Sequence, residues 1–374
     1  MDSVFITGLG DIGEHILELL VRVPNVPKIY VGDIKKEESL RKIYSARSGA
    51  IHQGFYPKIE FIHLDVNDVE RTAGIIQEIN PEVIVSSMTL KTWWALEAEL
   101  PPEVFRRLDK AGFGPWLPWH LTLVYKLMQA VKKSGVEAHV INASFPDAVN
   151  VILGKVGLAP AIGLGNCDLF VPELRRIVAD KFNVSVKSVS VYLVGHHYLA
   201  HALNAYQSTM GCPYYLKIMI DDKDVTKQFN LEKLLVEANK YMPKGVNDHF
   251  IVAASGVKNL LAILYDTKEL TYSPGPQGLP GGYPVRLSRK GAEVYLPEDI
   301  TFEDAVRINE EAQKLDGIEE IKDDGTVVLT EKAVTIMEEL MGYKYKELKL
   351  SECEEKAREL LFAYKQLVEK YKRH

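Results

Sequence analysis

Two short segments in the second half of the chain carry side chains able to move a proton near neutral pH. One is Gly195-His196-His197-Tyr198-Leu199-Ala200-His201, which follows an alternating apolar run. The other is Gly163-Leu164-Gly165-Asn166-Cys167-Asp168, a glycine-rich loop running into a helix. Imidazole, with a pKa near 6.5, is suited to taking a hydroxyl proton. A carboxylate bonded to its second nitrogen would fix the tautomer and stabilise the imidazolium, and Asp168 with His197 is the expected pair. His196 and His201 read as satisfied polar or surface groups, although His197 and His201 would share one face if the segment is helical. Cys167 reads first as a small buried residue. As a thiolate beside a neutral His197 it would instead suit a borderline divalent metal such as Mn, Zn or Fe.

These groups need a scaffold, and the N-terminus supplies its clearest sign. An apolar run, Val4 to Ile6, leads into Gly8, Gly10-Asp11-Ile12 and Gly13, then an amphipathic helix and a second strand, Lys28 to Gly32, that ends at Asp33. In this pattern the glycines provide a tight turn, close backbone approach to a pyrophosphate and tight helix-on-strand packing, while the helix turns its positive end to the phosphates. Asp33, about twenty residues beyond the last glycine, is placed to accept both ribose hydroxyls of an adenosine. Gly8, Gly10, Asp11, Ile12, Gly13 and Asp33 are therefore the expected cofactor-binding residues. The cofactor expected is NAD, since the acid opposes a 2′-phosphate; Lys35 and Lys36 leave NADP open.

Strands and helices alternate over the first half: a helix near Lys36 to Arg47, a strand Ile59 to Leu64, a helix Asp65 to Ile79, a strand Val83 to Ser86 and another at Glu137 to Asn142. That order predicts a doubly wound parallel sheet, an N-terminal Rossmann domain over 1–144. A catalytic α+β domain is expected over 145–329, with strands such as Val184 to Val194 and Tyr214 to Ile220. A charged helical extension is expected over 330–374, with Leu360, Leu361, Tyr364 and Leu367 on its packing face. All four tryptophans, Trp93, Trp94, Trp116 and Trp119, lie between Thr89 and His120, after the end of a strand. Such a segment reads either as an ordered hydrophobic flap or as a substrate lid, and Trp116 and His120 are candidate substrate contacts.

The 374 residues suit about two domains. A net charge of −6 argues against a nucleic-acid surface. Three scattered cysteines suggest no disulfide framework and suit a reducing compartment. No apolar run approaches the ~20 residues of a membrane span. A cytoplasmic homo-oligomer acting on a small molecule is expected.

The order of the glycine turn, Phe145-Pro146-Asp147, the Gly163 loop, Gly195-His196-His197, Ala254 to Leu264, Gly281 to Val285 and Arg289-Lys290-Gly291 resembles the lactate/malate dehydrogenase superfamily over roughly residues 1 to 320. The resemblance implies an NAD-dependent oxidoreductase working on a hydroxyl or keto group, with His197 as base and Asp168 as its orienting acid. Val171 stands where those enzymes carry the arginine that clamps a substrate carboxylate, and Arg175 is the nearest replacement. Phe145 replaces the asparagine of the Asn-Pro turn, and the tryptophan-rich segment replaces the arginine-bearing lid. These departures point away from lactate. They also bring forward the family-four glycosidases of the same superfamily, which use NAD and a divalent metal held partly by Cys and His, here Cys167 and His197. A non-enzymatic NAD sensor is the third reading.

Overall fold

The computed structural model describes residues 3–372. Six parallel strands form the main sheet in the order β3-β2-β1-β4-β5-β6. They are β1 (Ser3–Thr7), β2 (Lys28–Asp33), β3 (Ile59–His63), β4 (Val83–Ser86), β5 (His139–Asn142) and β6 (Ile162–Gly163). β1 and β4 are buried along their whole length, as strands covered by helices on both faces must be. The helices are α1 (Asp11–Leu20), α2 (Lys36–His52), α3 (Val69–Ile79), α4 (Trp94–Glu99), α5 (Pro102–Asp109), α6 (Leu117–Ser134) and α7 (Pro146–Lys155). The strand order reverses between β1 and β4, which opens a crevice at their carboxyl ends.

Residues after β6 build the second part: α8 (Val171–Phe182), β7 (Val189–Val194), α9 (His197–Tyr206), β8 (Tyr215–Ile220), β9 (Lys223–Asp224), α10 (Leu231–Asn239), α11 (His249–Leu264), β10 (Leu270–Pro274), β11 (Gly282–Ser288), β12 (Gly291–Val294) and α12 (Phe302–Leu315). They form two antiparallel sheets, β7-β8-β9 and β10-β11-β12. The two are tied where Gly195 and Gly282 exchange backbone hydrogen bonds of 3.2 and 2.9 Å, and Tyr272 Oη donates to the Gly195 carbonyl at 2.7 Å. A Cβ on Gly282 would run into the Tyr272 ring. This close approach fixes the start of α9, the helix that carries the histidines.

The last part contains β13 (Ile318–Ile321), β14 (Val327–Leu329), α13 (Glu331–Met341), β15 (Glu347–Leu348) and α14 (Cys353–Lys372). The tail is thus two helices with a short strand between them. α14 packs on α6 and buries Leu360, Tyr364 and Leu367 against Trp116 and Trp119. Trp119 Nε1 donates to the Ala357 carbonyl at 3.2 Å.

Candidate active site

A cleft of about 610 Å³ runs from the glycine turn after β1 to the start of α9. At one end it is lined by Gly8, Gly10, Asp11, Ile12 and Asp33. Gly8 has a positive φ of 87° and Gly13 is packed so closely that a Cβ there would run into the Gly8 carbonyl. A Cβ on Gly10 would meet nothing within 4 Å, and no side chain caps the N-terminus of α1, whose first N–H groups are therefore available to an anion. Asp33 is held by the amides of Leu9 and Lys35, which donate to its two oxygens at 2.7 and 2.8 Å. An ionised carboxylate keeps further lone pairs after two such bonds.

The other end holds the histidines. His197 is the first residue of α9 and lines the cleft; its Nδ1 lies 2.7 Å from Asp316 Oδ2. Asp316 caps the C-terminus of α12 and is 1% exposed. Its Oδ1 accepts the Phe113 amide at 2.8 Å, and its carbonyl accepts the Gly114 amide at 2.8 Å. A Cβ on Gly112 would strike the Asp316 backbone, so glycine there lets the tryptophan-rich segment close over the acid. Burial alone would raise the Asp316 carboxyl, but the charge and hydrogen bond of His197 hold it down at about 2. For His197 burial opposes the charged ring, and the charge and bond of Asp316 outweigh it, raising the pKa above the ordinary 6.5.

Asp147, fully buried, accepts the His197 backbone amide at 2.7 Å and is also bonded by Asn166 Nδ2. Burial, opposed by the charge of His197, raises its carboxyl to about 7. Asp147 therefore sets the position of the His197 backbone. One helical turn on, His201 Nε2 lies 3.0 Å from Asp109 Oδ1, and Tyr206 Oη bonds the other oxygen of Asp109. The His197 and His201 rings stack, with centroids 6.1 Å apart. His120, also in the cleft, meets Ser144 Oγ through Nδ1 at 3.0 Å, and burial pushes its pKa to about 3.

Several sequence expectations need correction. Asp168 does not orient His197; it pairs with Lys258 Nζ at 2.6 Å and does not line the cleft. Arg175 donates to the carbonyls of Val189 and Val186, at 2.9 and 3.0 Å, and so serves to join α8 to β7 rather than to meet a substrate. Trp116 is fully buried against α14, whereas Trp93 and Trp94 line the cleft. Trp116 and Trp119 are thus core, Trp93 belongs to the same buried cluster while reaching the cleft wall, and Trp94 is the more open of the two at the cleft. Cys167 is fully buried, and its Sγ donates to the His196 carbonyl at 3.4 Å. Burial raises that thiol well above the ordinary range, which disfavours the thiolate a metal needs. No cluster of three or more His, Cys, Asp or Glu placed to hold a metal occurs among the described residues. His196 is an N-cap: its Nδ1 accepts from the Tyr198 amide at 3.3 Å, and burial lowers its pKa to about 4. Asp316, in Leu315-Asp316-Gly317, carries no local sign of this role in the sequence.

No protein-family model matches the chain. It is similar to the L-lactate dehydrogenase of Mycoplasma genitalium, with 27% identity over 218 residues covering 53% of this chain and 69% of that enzyme. The L-lactate dehydrogenase of Mesoplasma florum is 26% identical over 51% of this chain and 64% of its own length. Among solved structures, the lactate dehydrogenase of Cryptosporidium parvum with lactic acid and NAD superposes at a TM-score of 0.57, with 16% identity, over 84% of this chain and 96% of that one. In sequence the chain resembles the lactate/malate dehydrogenase-like NAD-dependent superfamily, and it has the fold of those enzymes. Within the superfamily frame, the carboxylate on the histidine comes from α12, and the position that the resemblance gives to that acid, Asp168, is tied to a lysine on α11 instead. No helix is long and apolar enough to cross a membrane among the described residues.

Proposed function

We propose that the protein is an NAD-dependent dehydrogenase that oxidises a hydroxyl, or reduces the corresponding carbonyl, of a small polar substrate, with His197 as the proton-transfer group. The observation that carries this reading is the His197–Asp316 pair at 2.7 Å, at the opposite end of one cleft from the uncapped glycine turn.

The residues present fit NAD. The open space at Gly10 and the first amides of α1 would receive the pyrophosphate, and Asp33 would accept the adenosine ribose hydroxyls. Glu38 and Asp65 line the same end as Asp33, so a 2′-phosphate would meet several carboxylates, and Lys35 is already paired with Glu38 at 3.3 Å. NAD bound there supplies the acceptor for hydride from the carbinol carbon.

The chain's own residues handle the proton. With Nδ1–H donated to Asp316, the Nε2 lone pair of His197 takes the hydroxyl proton as the C–O bond gains double-bond character. The ring then carries a positive charge, which Asp316 stabilises, and in carbonyl reduction the same proton returns from Nε2 to oxygen. Asp147 holds the backbone of His197 in place, and Phe113 and Phe145 pack against the imidazole with ring centroids 4.8 and 5.2 Å away. The test is His197→Asn, which is expected to lower turnover by about two to four orders of magnitude while leaving NAD affinity within about twofold. Normal turnover of that variant would remove His197 from the mechanism.

A further inference from the structure

The charge around the inner end of the cleft is informative about what binds there. Of the cleft-lining residues only Lys35 is a lysine or arginine, and it sits at the Asp33 end, paired with Glu38. Behind the histidines lie three buried carboxylates: Asp316 on His197, Asp109 on His201, and Asp147 on the His197 amide. When His197 is neutral and ready to take a proton, a substrate carboxylate would face this acidic wall with no cation to hold it.

The unsatisfied polar atoms point the same way. Among cleft-lining residues, the buried Oδ1 of Asn204, Oδ1 of Asp248 and the Nε2 atoms of His120 and His249 have no hydrogen-bond partner. The first is an acceptor, and so is the second when ionised. A carboxylate only accepts, so it can meet an imidazole N–H of His120 or His249 but complete neither of these two oxygens, whereas a hydroxyl both donates and accepts and can meet all four atoms. Trp94, which is less buried than Trp93, also lines this cleft, and an indole's apolar face can cover the C–H face of a polyhydroxylated chain or ring.

We propose that the cleft takes an uncharged polyhydroxylated substrate, a polyol or sugar, whose hydroxyls are read by His120, His201 and Asn204 beside the hydroxyl that His197 deprotonates. This rests on the dehydrogenase reading and narrows it to a substrate class. The lack of a cation at this end separates such a molecule from a hydroxy acid of the same skeleton, because the acid must give up its hydration without gaining a countercharge.

The experiment uses the full chain. NAD and NADH binding are measured first by calorimetry. Glycerol, erythritol, xylitol, glucose and inositol are then compared with glycerate, gluconate, lactate and malate, and with the amino alcohol serinol. Saturation of the NADH complex is followed by tryptophan fluorescence, and turnover by NADH formation. At least one uncharged compound should saturate the complex and show kcat/KM at least tenfold above the acid of matching skeleton. Asn204→Leu should raise its KM at least fivefold with NADH affinity unchanged. If neither nucleotide binds, the dehydrogenase reading fails and this inference with it. If NAD binds but a hydroxy acid or serinol is preferred, or no uncharged compound saturates the complex, this inference alone is overturned.

Discussion

Replacing Asp316 by asparagine changes one charge and one hydrogen-bond direction at the centre of the site. The Phe113 amide donates to Oδ1, so the asparagine oxygen is held on that side and its NH2 group faces His197 Nδ1. Nδ1 must then accept, the ring proton moves to Nε2, and the nitrogen that faces substrate loses the lone pair it needs. The charge is lost as well. Centres of opposite unit charge about 4 Å apart attract by about 4 kcal/mol at an effective dielectric of 20, roughly a thousandfold in the protonation equilibrium of His197. With burial no longer opposed by that charge, the ring pKa should fall from above its ordinary 6.5 to below it. The same exchange behind the histidine of a serine-protease triad costs about 10⁴ in turnover, so a loss of about 10² to 10⁴ is expected here, with NAD affinity nearly unchanged. Histidine-selective ¹⁵N NMR reads the tautomer and pKa without a substrate, and initial rates of NADH formation read the catalytic loss. Asp168→Asn, whose carboxylate faces Lys258 rather than His197, should leave the His197 signals in place. Unchanged His197 signals in Asp316→Asn, or equal effects in the two variants, would refute the assignment.

Other consequences can be checked separately. Because Asp316 keeps His197 protonated above pH 6.5, alcohol oxidation should rise with pH through a midpoint above 6.5 while carbonyl reduction falls; a pH–rate profile with the opposite slopes would contradict the role of the ring. Asp33→Ala should weaken NAD at least tenfold and narrow its advantage over NADP, read by calorimetric titration. Burial holds His120 and His196 neutral, with pKa values lowered to about 3 and about 4; their contribution to stability is complete above 6.5 and is lost as pH falls through those values. Asp147 and Asp248, raised to about 7, act with the opposite sign, their contribution being present below the ordinary 3.8 and lost as pH rises through 7. Melting temperatures of His120→Gln should therefore fall less steeply than those of the unaltered protein between pH 6.5 and 4. Cys167→Ser should lower the melting temperature without changing turnover, and chelator treatment should leave turnover intact; activity restored by Mn after chelation would bring back the metal reading.

The N-terminal unit was legible because its signals are local. β1, the glycine turn, α1, β2 and Asp33 are each within a few residues of the next, and β4 begins and ends at the expected residues Val83 and Ser86. Boundaries failed where a side chain competes with regular structure. The strand expected from Val184 starts at Val189, since Ser185 Oγ accepts the Lys187 amide and forms a short 3₁₀ turn. The helix expected from Asp65 starts at Val69, because Asp68 caps it through the Arg71 amide. The partner of His197 was out of reach for another reason: 119 positions separate the two residues, and the packing of α12 against α9 brings them together, with the Phe113 amide holding the acid from the other side. Likewise the run of four tryptophans carries no sign of which are buried with α14 and which reach the cleft; that is decided by the tail helix, far along the chain.

Hydride transfer itself is the central claim, and deuterium tracing tests it most directly. The protein is incubated with NADH carrying deuterium at the transferring position and a library of small carbonyl compounds, and the products are analysed by mass spectrometry. The account predicts carbon-bound deuterium in at least one alcohol product, formed in step with NADH consumption and reduced at least a hundredfold in His197→Asn. Protein saturated with NADH that passes no deuterium to any carbonyl compound would contradict it.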